Sequence, residues 1–457
     1  MKIKMSITAL LIIIFSLHLR SWADSGEYIV KLKDIAIPFE LTELLSVVNE
    51  EHNIYTTNSI KQLSEFNEYI EYGESNDKVT LIEGQACIGL YSLPGDELYS
   101  EQWQLQMVNA EFAWEMETYG NNVNVAVIDT GCNPHEDINL AGGYNFVLNN
   151  EDYSDNHGHG THVSGIISAQ HNEIGIAGLA PKVNIYALKC VEPGYNSDAD
   201  ELIAAIYAAV DNYNCKVISM SLGIPNNNEG LYEAVKYATD KGAIIIAAAG
   251  NEGRTQNKSR YWYPAAYEEV IGVGSVGMTK QRSDFSQQND SVFLVAPGEN
   301  YKSTIGLTEY TEMDGTSQAT PLVAASAAIL FSADDNMTID EFKKYIESCS
   351  EPLEEDFCGH GLLNMEAMFN ECIKNIDYYI SPINKNSVLI YNNTEDDLNA
   401  VGIFAEYKDE RYVSSVLSDI ILLPKEKTVI DCNDTNRYRK FFLWDFADKL
   451  IPLSESR

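Results

Sequence analysis

Three residues far apart in the chain carry the side chains that together can cleave an amide bond. Asp129 lies in the segment AVIDTG at 126–131, His159 in HGHGTHVSG at 157–165 and Ser317 in GTSQATP at 315–321. A serine hydroxyl becomes a competent nucleophile when a base takes its proton during attack on a carbonyl, and histidine is such a base near neutral pH. A carboxylate can hold the imidazole in the correct tautomer and stabilise the imidazolium. These three residues are therefore a candidate catalytic triad.

Each of the three residues also has an ordinary structural interpretation when it is taken alone. An aspartate after a strand commonly caps a turn or a helix, a single histidine is usually a surface or core residue, and a serine before a helix is usually an N-cap. The combination of all three, each within an extended motif, favours the catalytic interpretation.

The segment from Val123 onward has the pattern of a buried parallel sheet. Short apolar runs rich in β-branched residues occur at Val123–Ile128, Val183–Leu188, Val217–Met220, Ala243–Ala249, Val270–Val276 and Val292–Ala296. Continuously apolar strands are typical of a parallel sheet covered on both faces. Asp129 follows the first run directly, and ligands of such sheets bind beyond the carboxyl ends of the strands.

Helical stretches lie between these runs. Asp198–Tyr213 follows Ser197, which we predict to be its N-cap, and Glu229–Asp240 ends shortly before Gly242. Strands that alternate with helices of this length predict an α/β fold with a doubly wound, mostly parallel sheet.

The N-terminal residues predict export. Lys2 and Lys4 precede the apolar run Ile7–Leu17, and small residues follow at Ser21 and Ala23, which is the pattern of a secretory signal peptide at 1–23. The apolar run is too short to span a bilayer, and no later segment is long and apolar enough to do so. We expect a secreted protein without a membrane span.

Two smaller units flank the predicted sheet. Residues 24–95 mix strand-like and helix-like stretches and predict a small α+β unit, with strands at Tyr28–Leu32 and Val79–Leu81 and helices at Leu41–Glu50 and Ser59–Glu71. Residues 376–457 predict a small antiparallel β-rich domain, with strands at Ser387–Tyr391, Ala400–Tyr407, Ile420–Leu423, Thr428–Ile430 and Phe441–Trp444.

Charge and cysteine content exclude some functions. The formal net charge is −37, which disfavours binding to nucleic acid or to anionic membranes. None of the eight cysteines has the CxxC spacing of a thiolate zinc site. Cys349 and Cys358 flank an acidic, proline-containing loop and favour a disulfide. Without Cys87 in the 24–95 unit, an odd number remains, so at least one thiol is free or pairs between chains.

The three motifs, in the chain order Asp, His, Ser, resemble those of the subtilisin-like serine proteases, the subtilases, over roughly Leu98 to Leu363. The resemblance implies a serine endopeptidase with a catalytic domain at 96–375 that acts on polypeptides and is a monomer. It further implies that 24–95 is a propeptide, which assists folding and inhibits the enzyme until it is cut autocatalytically. His135, His157 and His162 keep a structural interpretation, because the family motif assigns the base to the histidine before Gly-Thr-His.

The resemblance also implies the rest of the active site. Asn251, at the end of AAAGN, matches the residue whose amide binds the oxyanion together with the Ser317 N–H. Ala248 and Gly250 of that segment border the substrate, and Ser221-Leu222-Gly223 matches the strip that pairs with the substrate backbone. Trp262 precedes a Tyr-Pro pair that closes the pocket for the residue before the cut bond. Its indole either fills that pocket, favouring small residues, or turns outward and leaves the pocket open.

The resemblance implies a calcium site as well. The segment QHNEIGI at 170–176 resembles the family's calcium loop, in which backbone carbonyls and an Asn oxygen bind the ion. The expected ligands are Asp96, Asp137, Gln170, Asn172, Ile174 and Ile176. The alternative is a plain surface loop.

Two positions depart from the family pattern. Gln318 follows the nucleophile where the family usually has Met, and Pro321-Leu322-Val323-Ala324-Ala325 replaces Pro-His-Val-Ala-Gly. Neither supplies catalytic atoms. The competing interpretation is a catalytically silent relative that binds peptides or regulates a partner. Silent relatives typically lack a triad atom, and all three residues are present here.

Overall fold

The computed structural model describes residues 93–193, 198–384, 387–408, 411–431, 439–445 and 452–455, together with the backbone of four strands before residue 93. The chain divides into two compact units, Met1–Ala86 and Cys87–Arg457. The predicted signal peptide at 1–23 lies outside the described residues.

The described part of the first unit is an antiparallel sheet with the strand order β2-β3-β1-β4. Its strands are β1 (Tyr28–Leu32), β2 (Ser46–Asn49), β3 (Ile54–Thr57) and β4 (Ile70–Ser75). The prediction of a strand at Tyr28–Leu32 is confirmed. The helix predicted at Leu41–Glu50 is wrong over β2, whose adjacent valines favour a strand. The helix predicted at Ser59–Glu71 is wrong at its last two residues, which belong to β4, and Val79–Leu81 lies outside the described residues.

The second unit is built around a seven-stranded parallel sheet with the order β11-β10-β9-β8-β5-β7-β6. The strands are β5 (Asn124–Asp129), β6 (Leu140–Asn145), β7 (Asn184–Lys189), β8 (Val217–Met220), β9 (Ile244–Ala248), β10 (Val270–Val276) and β11 (Leu294–Pro297). This arrangement confirms the predicted doubly wound α/β fold.

Helices cover both faces of this sheet. They are α1 (Trp103–Met107), α2 (Ala110–Glu115), α3 (His159–Ser168), α4 (Ala199–Asp211), α5 (Glu229–Asp240), α6 (Thr316–Ala333), α7 (Ile339–Cys349) and α8 (Met365–Ile373). Side chains of β5 alternate between two hydrophobic cores: Val125 and Val127 pack in the core of α3 and α6, and Ala126 and Ile128 in the core of α4 and α5. Both faces of β5 are therefore excluded from solvent, which explains its continuous apolar sequence.

Helix α4 begins one residue later than the sequence predicts. Its N-cap is Asp198, which forms a capping box with Glu201, whereas Ser197 lies outside the described residues. Helix α5 has the predicted bounds and is capped by Asn228, whose side chain accepts from Leu231 N.

Strands that carry fewer apolar residues were not predicted. Strand β6 contains two glycines, and the hairpin of β12 (Tyr301–Ile305) and β13 (Glu309–Met313) is half polar. These strands lie at the sheet edge or apart from it, so they are not required to be apolar on both sides.

The C-terminal residues form two small antiparallel sheets, of order β14-β15-β18 and β17-β16-β19-β20. The strands are β14 (Tyr378–Asn384), β15 (Ser387–Asn392), β16 (Leu398–Lys408), β17 (Arg411–Leu422), β18 (Lys427–Asp431), β19 (Arg439–Asp445) and β20 (Pro452–Glu455). The five predicted strands are present, and β14 and β20 were not predicted. Strand β14 contacts the parallel-sheet region through Tyr379 Oη, 2.8 Å from Thr118 Oγ1, and Ser381 Oγ, which donates to Glu117 O at 2.8 Å.

The predicted disulfide between Cys349 and Cys358 is wrong, and both thiols are free. Cys349 is the last residue of α7 and packs against the core of α3 and α6. Cys358 lies in a separate hydrophobic cluster around Val295 and Leu362. The backbone bridge between Glu351 and Leu362 pairs the start of the intervening loop with the segment after Cys358.

Within the described part of the chain, no helix is long and apolar enough to cross a membrane.

Candidate active site

The three candidate catalytic residues begin or end elements of the parallel-sheet region. Asp129 is the last residue of β5, His159 is the first residue of α3, and Ser317 is the second residue of α6. Helices α3 and α6 lie on the same face of the sheet and contact each other. Residues separated by up to 188 positions thus share one rim of the molecule.

Asp129 and His159 are directly hydrogen bonded. His159 Nδ1 lies 2.7 Å from Asp129 Oδ1, and the same oxygen accepts from Thr130 N at 2.7 Å. The carboxylate is buried, whereas the imidazole is partly open. The charge of Asp129 raises the pKa of His159 above its usual value, against the opposing effect of burial. The pair therefore favours an imidazole that can take up a proton at Nε2.

The Ser317 hydroxyl is held by a residue of the predicted substrate strip. Ser317 Oγ donates to Ser221 O at 3.1 Å, and Ser221 Oγ donates to Ser317 O at 2.8 Å. This reciprocal pair of hydrogen bonds holds the start of α6 against the end of β8. The hydroxyl must rotate away from Ser221 to bond to His159 Nε2, and such bonds commonly tighten only when substrate binds.

Asn251 is oriented by the turn before the nucleophile. Its Oδ1 accepts from Thr316 N at 2.9 Å and from Thr316 Oγ1 at 3.0 Å. The Nδ2 group is thereby turned away from Thr316 and is available as a donor. Ser317 N belongs to the first turn of α6, where backbone N–H groups have no intrahelical acceptor. The two donors can together bind a developing oxyanion.

A glycine beside the histidine permits the loops to approach closely. A Cβ atom on Gly160 would lie 2.1 Å from Gly131 O and 3.1 Å from Asp129 Cβ. Any larger residue at this position would therefore separate the histidine helix from the aspartate strand.

The predicted substrate-binding residues lie in two neighbouring segments, at 221–223 and at 248–262. Gly223 packs on Tyr263, whose backbone pairs with that of Ile224 (N···O 2.7 and 2.9 Å). Ala248 is buried at the end of β9, and Leu222 packs against the core of α4 and α5.

Trp262 packs against Gly250 of the second segment. A Cβ atom on Gly250 would be 2.5 Å from Trp262 Cδ1, so the indole rests directly on this glycine. The indole N–H donates to Glu252 Oε2 at 3.3 Å, and the side chain is half-buried. Glu252 Oε1 in turn accepts from Asn257 Nδ2 at 3.1 Å. The occupation of the specificity pocket by this ring stays a prediction.

The histidines that were given a structural interpretation differ in their surroundings. His162 is buried, its Nε2 lies 3.0 Å from Tyr301 O, and burial lowers its pKa to about 4. It is therefore a neutral core residue. His135 contacts Glu309 O, and burial lowers its pKa too. His157 is exposed, with its ring centroid 6.2 Å from that of His159.

The predicted calcium ligands surround two buried carboxylates. Asp137 Oδ2 accepts from Ile176 N (3.2 Å) and Tyr310 Oη (3.1 Å), and Asp96 Oδ1 accepts from Asn172 N (3.0 Å). Burial, together with the nearby charge of Asp96, raises the pKa of Asp137 to about 6. Asp96 Oδ2 is buried without a hydrogen-bond donor. A cation would satisfy this oxygen and offset the repulsion between the carboxylates.

The neighbouring loop supplies neutral oxygens. Among the described residues, the carbonyls of Gln170, Ile174 and Ile176 accept no hydrogen bond, whereas that of Gly175 accepts from Leu98 N at 2.7 Å. The Gln170 side chain points elsewhere, to Ser168 O and Pro181 O. In the described ranges, no group of three or more His, Cys, Asp or Glu side chains is arranged so that it could hold a metal ion. Two carboxylates with neutral carbonyls are nevertheless a donor set that fits calcium.

One residue of the site was not predicted. Asp155 is a buried carboxylate between Asp129 and His159 that accepts hydrogen bonds from both loops. It is one of 68 acidic residues, and nothing in the sequence around it distinguishes it from a surface aspartate in a polar loop.

Comparisons with known proteins agree with this geometry. The family described as Subtilase family matches residues 120–361. Subtilisin DY of Bacillus licheniformis is 37% identical over 250 residues, which are 54% of this chain and 91% of that protein. The minor extracellular protease Epr of Bacillus subtilis (strain 168) is 38% identical over 58% of this chain, but the match spans only 41% of that longer protein. A solved protease structure from Pseudoalteromonas arctica PAMC 21717 is similar with a TM-score of 0.57 and 25% identity, over 62% of this chain and 100% of that one.

Proposed function

The chain belongs to the subtilase family of serine-type endopeptidases, and from that premise we propose that it hydrolyses peptide bonds through Asp129, His159 and Ser317. The observation that carries the proposal is the 2.7 Å contact between Asp129 and His159, the latter in a helix that packs against the buried helix whose second residue is Ser317. The orientation of Asn251 supports the same conclusion, because its free amide group faces the region of the nucleophile.

In the acylation step, Ser317 Oγ attacks the scissile carbonyl carbon while its proton passes to His159 Nε2. Asp129 accepts the Nδ1–H bond and stabilises the imidazolium. The carbonyl oxygen becomes an oxyanion that accepts bonds from Asn251 Nδ2 and Ser317 N. The proton on Nε2 then passes to the leaving amine, the C–N bond breaks, and an ester to Ser317 remains.

Deacylation repeats the sequence with water. His159 takes a proton from the water as its oxygen attacks the ester carbon, and the same two donors hold the second oxyanion. Ser317 Oγ leaves and regains the proton from His159, which restores the free enzyme.

The substrate is an extended polypeptide. Ser221, Leu222 and Gly223 present backbone N–H and C=O groups that can pair with a substrate strand, a mode that reads any peptide. Side-chain preference then depends on the pocket bounded by Ala248, Gly250 and Trp262. An indole resting on Gly250 leaves room for a small residue such as Ala or Ser before the cut bond.

The protein is made as a secreted zymogen. Residues 1–23 act as the export signal, and residues 24–95 act as a propeptide that assists folding, inhibits the active site and is removed by the enzyme's own Ser317. The mature enzyme works outside the cell as a monomer, with 376–457 as a β-rich C-terminal domain. Its strongly negative charge suits an extracellular protein with no nucleic-acid partner.

Calcium stabilises the fold of the mature enzyme. Asp96, Asp137 and Asn172 bind it through side-chain oxygens, and Gln170, Ile174 and Ile176 through their carbonyls. The ion supplies positive charge between two buried carboxylates and ties residues 96–98 to the loop at 170–176. It takes no part in the chemical steps.

Labelling with a fluorophosphonate probe tests the central proposal. The probe reacts with a serine that is activated by a neighbouring base, so the wild type should be labelled at Ser317 and should digest denatured casein. The Ser317→Ala variant is the matched control and should do neither. A folded wild type that is not labelled contradicts the proposal.

The silent alternative has one observation in its favour. Ser317 Oγ is bonded to Ser221 O rather than to His159. A silent protein would still bind extended peptides along Ser221–Gly223 but would leave the probe and the casein untouched, so the same experiment separates the two functions.

A further inference from the structure

Asp155 is a buried carboxylate with an unusually full set of donors. Its Oδ1 accepts from Thr130 Oγ1 (2.9 Å), His157 N (2.9 Å) and Gly158 N (2.8 Å). Its Oδ2 accepts from Thr161 N and Thr161 Oγ1, both at 2.8 Å. Five donors on one carboxylate fix both of its oxygens in place inside the protein.

These donors come from both loops that carry the catalytic pair. Thr130 follows Asp129 directly, and its Oγ1 also accepts from Gly160 N at 2.9 Å. Thr161 and the two N–H groups at 157 and 158 flank His159. Asp155 therefore links the end of β5 to the start of α3.

The backbone of Asp155 strengthens this link. Its amide donates to Asn133 Oδ1 at 3.0 Å, and its carbonyl accepts from Asn133 Nδ2 at 2.9 Å. Asn133 N in turn donates to Thr161 Oγ1 at 3.1 Å. Side-chain and backbone hydrogen bonds thus join the loop after Asp129 to the loop before His159.

The position of His159 makes this link chemically relevant. His159 begins α3, and the positive end of a helix disfavours an imidazolium. Asp155 satisfies N–H groups of this helix start with a full negative charge. The charged and titratable groups around His159 are Asp129 on β5, Asp155 and His157 in its own loop and His162 in α3.

We propose that Asp155 is a positioning residue that holds the His159 imidazole against Asp129 and stabilises its protonated form by charge. It touches neither substrate nor reacting atoms, so it acts through His159. The inference rests on the proposed function, because it concerns the base of the proposed triad. The charge of Asp155 acts in the same direction as that of Asp129, raising the pKa of His159.

The substitution Asp155→Asn tests the inference. An amide nitrogen at the position of Oδ2 would meet the Thr161 N–H, which is itself a donor. At the position of Oδ1, the amide nitrogen would meet the three groups that donate to this oxygen in the wild type. We expect kcat/KM to fall about tenfold or more through kcat, with KM nearly unchanged, because the base is displaced while the substrate strip is intact. Removing the negative charge should also shift the acid limb of the kcat/KM profile to lower pH, by roughly 0.3 units or more.

The Asn133→Ala variant is the matched control. It removes two bonds between the same loops but keeps the carboxylate, so it should lower stability or kcat without moving the acid limb. An Asp155→Asn protein that is folded, keeps kcat within twofold and has the wild-type acid limb overturns the inference.

A second pair of variants covers the case in which Asp155→Asn does not fold. Thr130→Val and Thr161→Val each remove a hydroxyl donor to Asp155 and keep the charge. Both should lower kcat at unchanged KM, and wild-type kcat in both overturns the positioning role. Fluorophosphonate labelling of the wild type is measured alongside. If the wild type is not labelled, the proposed function fails; if it is labelled and Asp155→Asn is labelled at the same rate and pH dependence, only the inference about Asp155 fails.

Discussion

Replacement of Trp262 by glycine is the sharpest test of the specificity pocket. The indole lies on Gly250 and is held by the Glu252 carboxylate. Its removal should open the space over Gly250. Wild type should therefore prefer a small residue before the cut bond, and Trp262→Gly should accept a large aromatic one.

The size of the change follows from the area that the new pocket can bury. Full burial of a Phe side chain is worth about 1.5–3 kcal/mol relative to water. The ratio of kcat/KM for Phe over Ala substrates should therefore rise roughly 10- to 150-fold. Part of this gain is lost if neighbouring side chains relax into the cavity.

The assay compares matched peptides that differ only in Ala or Phe at this position. Tyr261→Gly is a control of similar size, because Tyr261 is the adjacent aromatic residue and is exposed, with its hydroxyl on Asp290. Its ratio should stay at the wild-type value. A wild type that already prefers Phe, together with an unchanged ratio in Trp262→Gly, refutes the assignment of Trp262 to the pocket.

Three further predictions concern maturation, metal and oxidation. Ser317→Ala should accumulate as a precursor that retains the propeptide, and equal processing of mutant and wild type in a purified, protease-free system would exclude self-cleavage. Chelation of calcium should lower the midpoint of thermal unfolding, because an ion bound only by the folded state stabilises by mass action; the response should shrink in Asp137→Ala, and an unchanged response removes Asp137 from the site. Wild type should keep its activity in mild peroxide, whereas Gln318→Met should lose it as the sulfoxide obstructs the site. If wild type is inactivated equally fast, Met313, whose sulfur lies 3.9 Å from Gln318 Nε2, is the residue to replace by leucine.

The central strands and the triad were predictable because strong constraints act on them locally. A strand such as β8 is buried on both faces, so each of its residues is apolar or small, and its bounds match the prediction. The motifs around Asp129, His159 and Ser317 combine residue type, order and neighbouring glycines, and the structure joins the first two by a hydrogen bond.

The contacts that complete the site could not be predicted, because they join residues that are distant in sequence. Ser221 and Ser317 are 96 positions apart, yet each donates to the backbone of the other. Asp155 depends on donors that a single sequence does not connect to it. The opposite error arose for Cys349 and Cys358, which are close in sequence but pack in different hydrophobic clusters.

Helix α6 gives the nucleophile the rigidity of the whole interior. Nearly every residue from Thr316 to Ala333 is buried, and alanines such as Ala324 and Ala328 let the helix lie close to the sheet. The first turn of α6 carries Ser317. Its last turn borders a cleft of ≈ 440 Å³, which β14 lines from the other side. Heat should therefore abolish catalysis only when this interior unfolds.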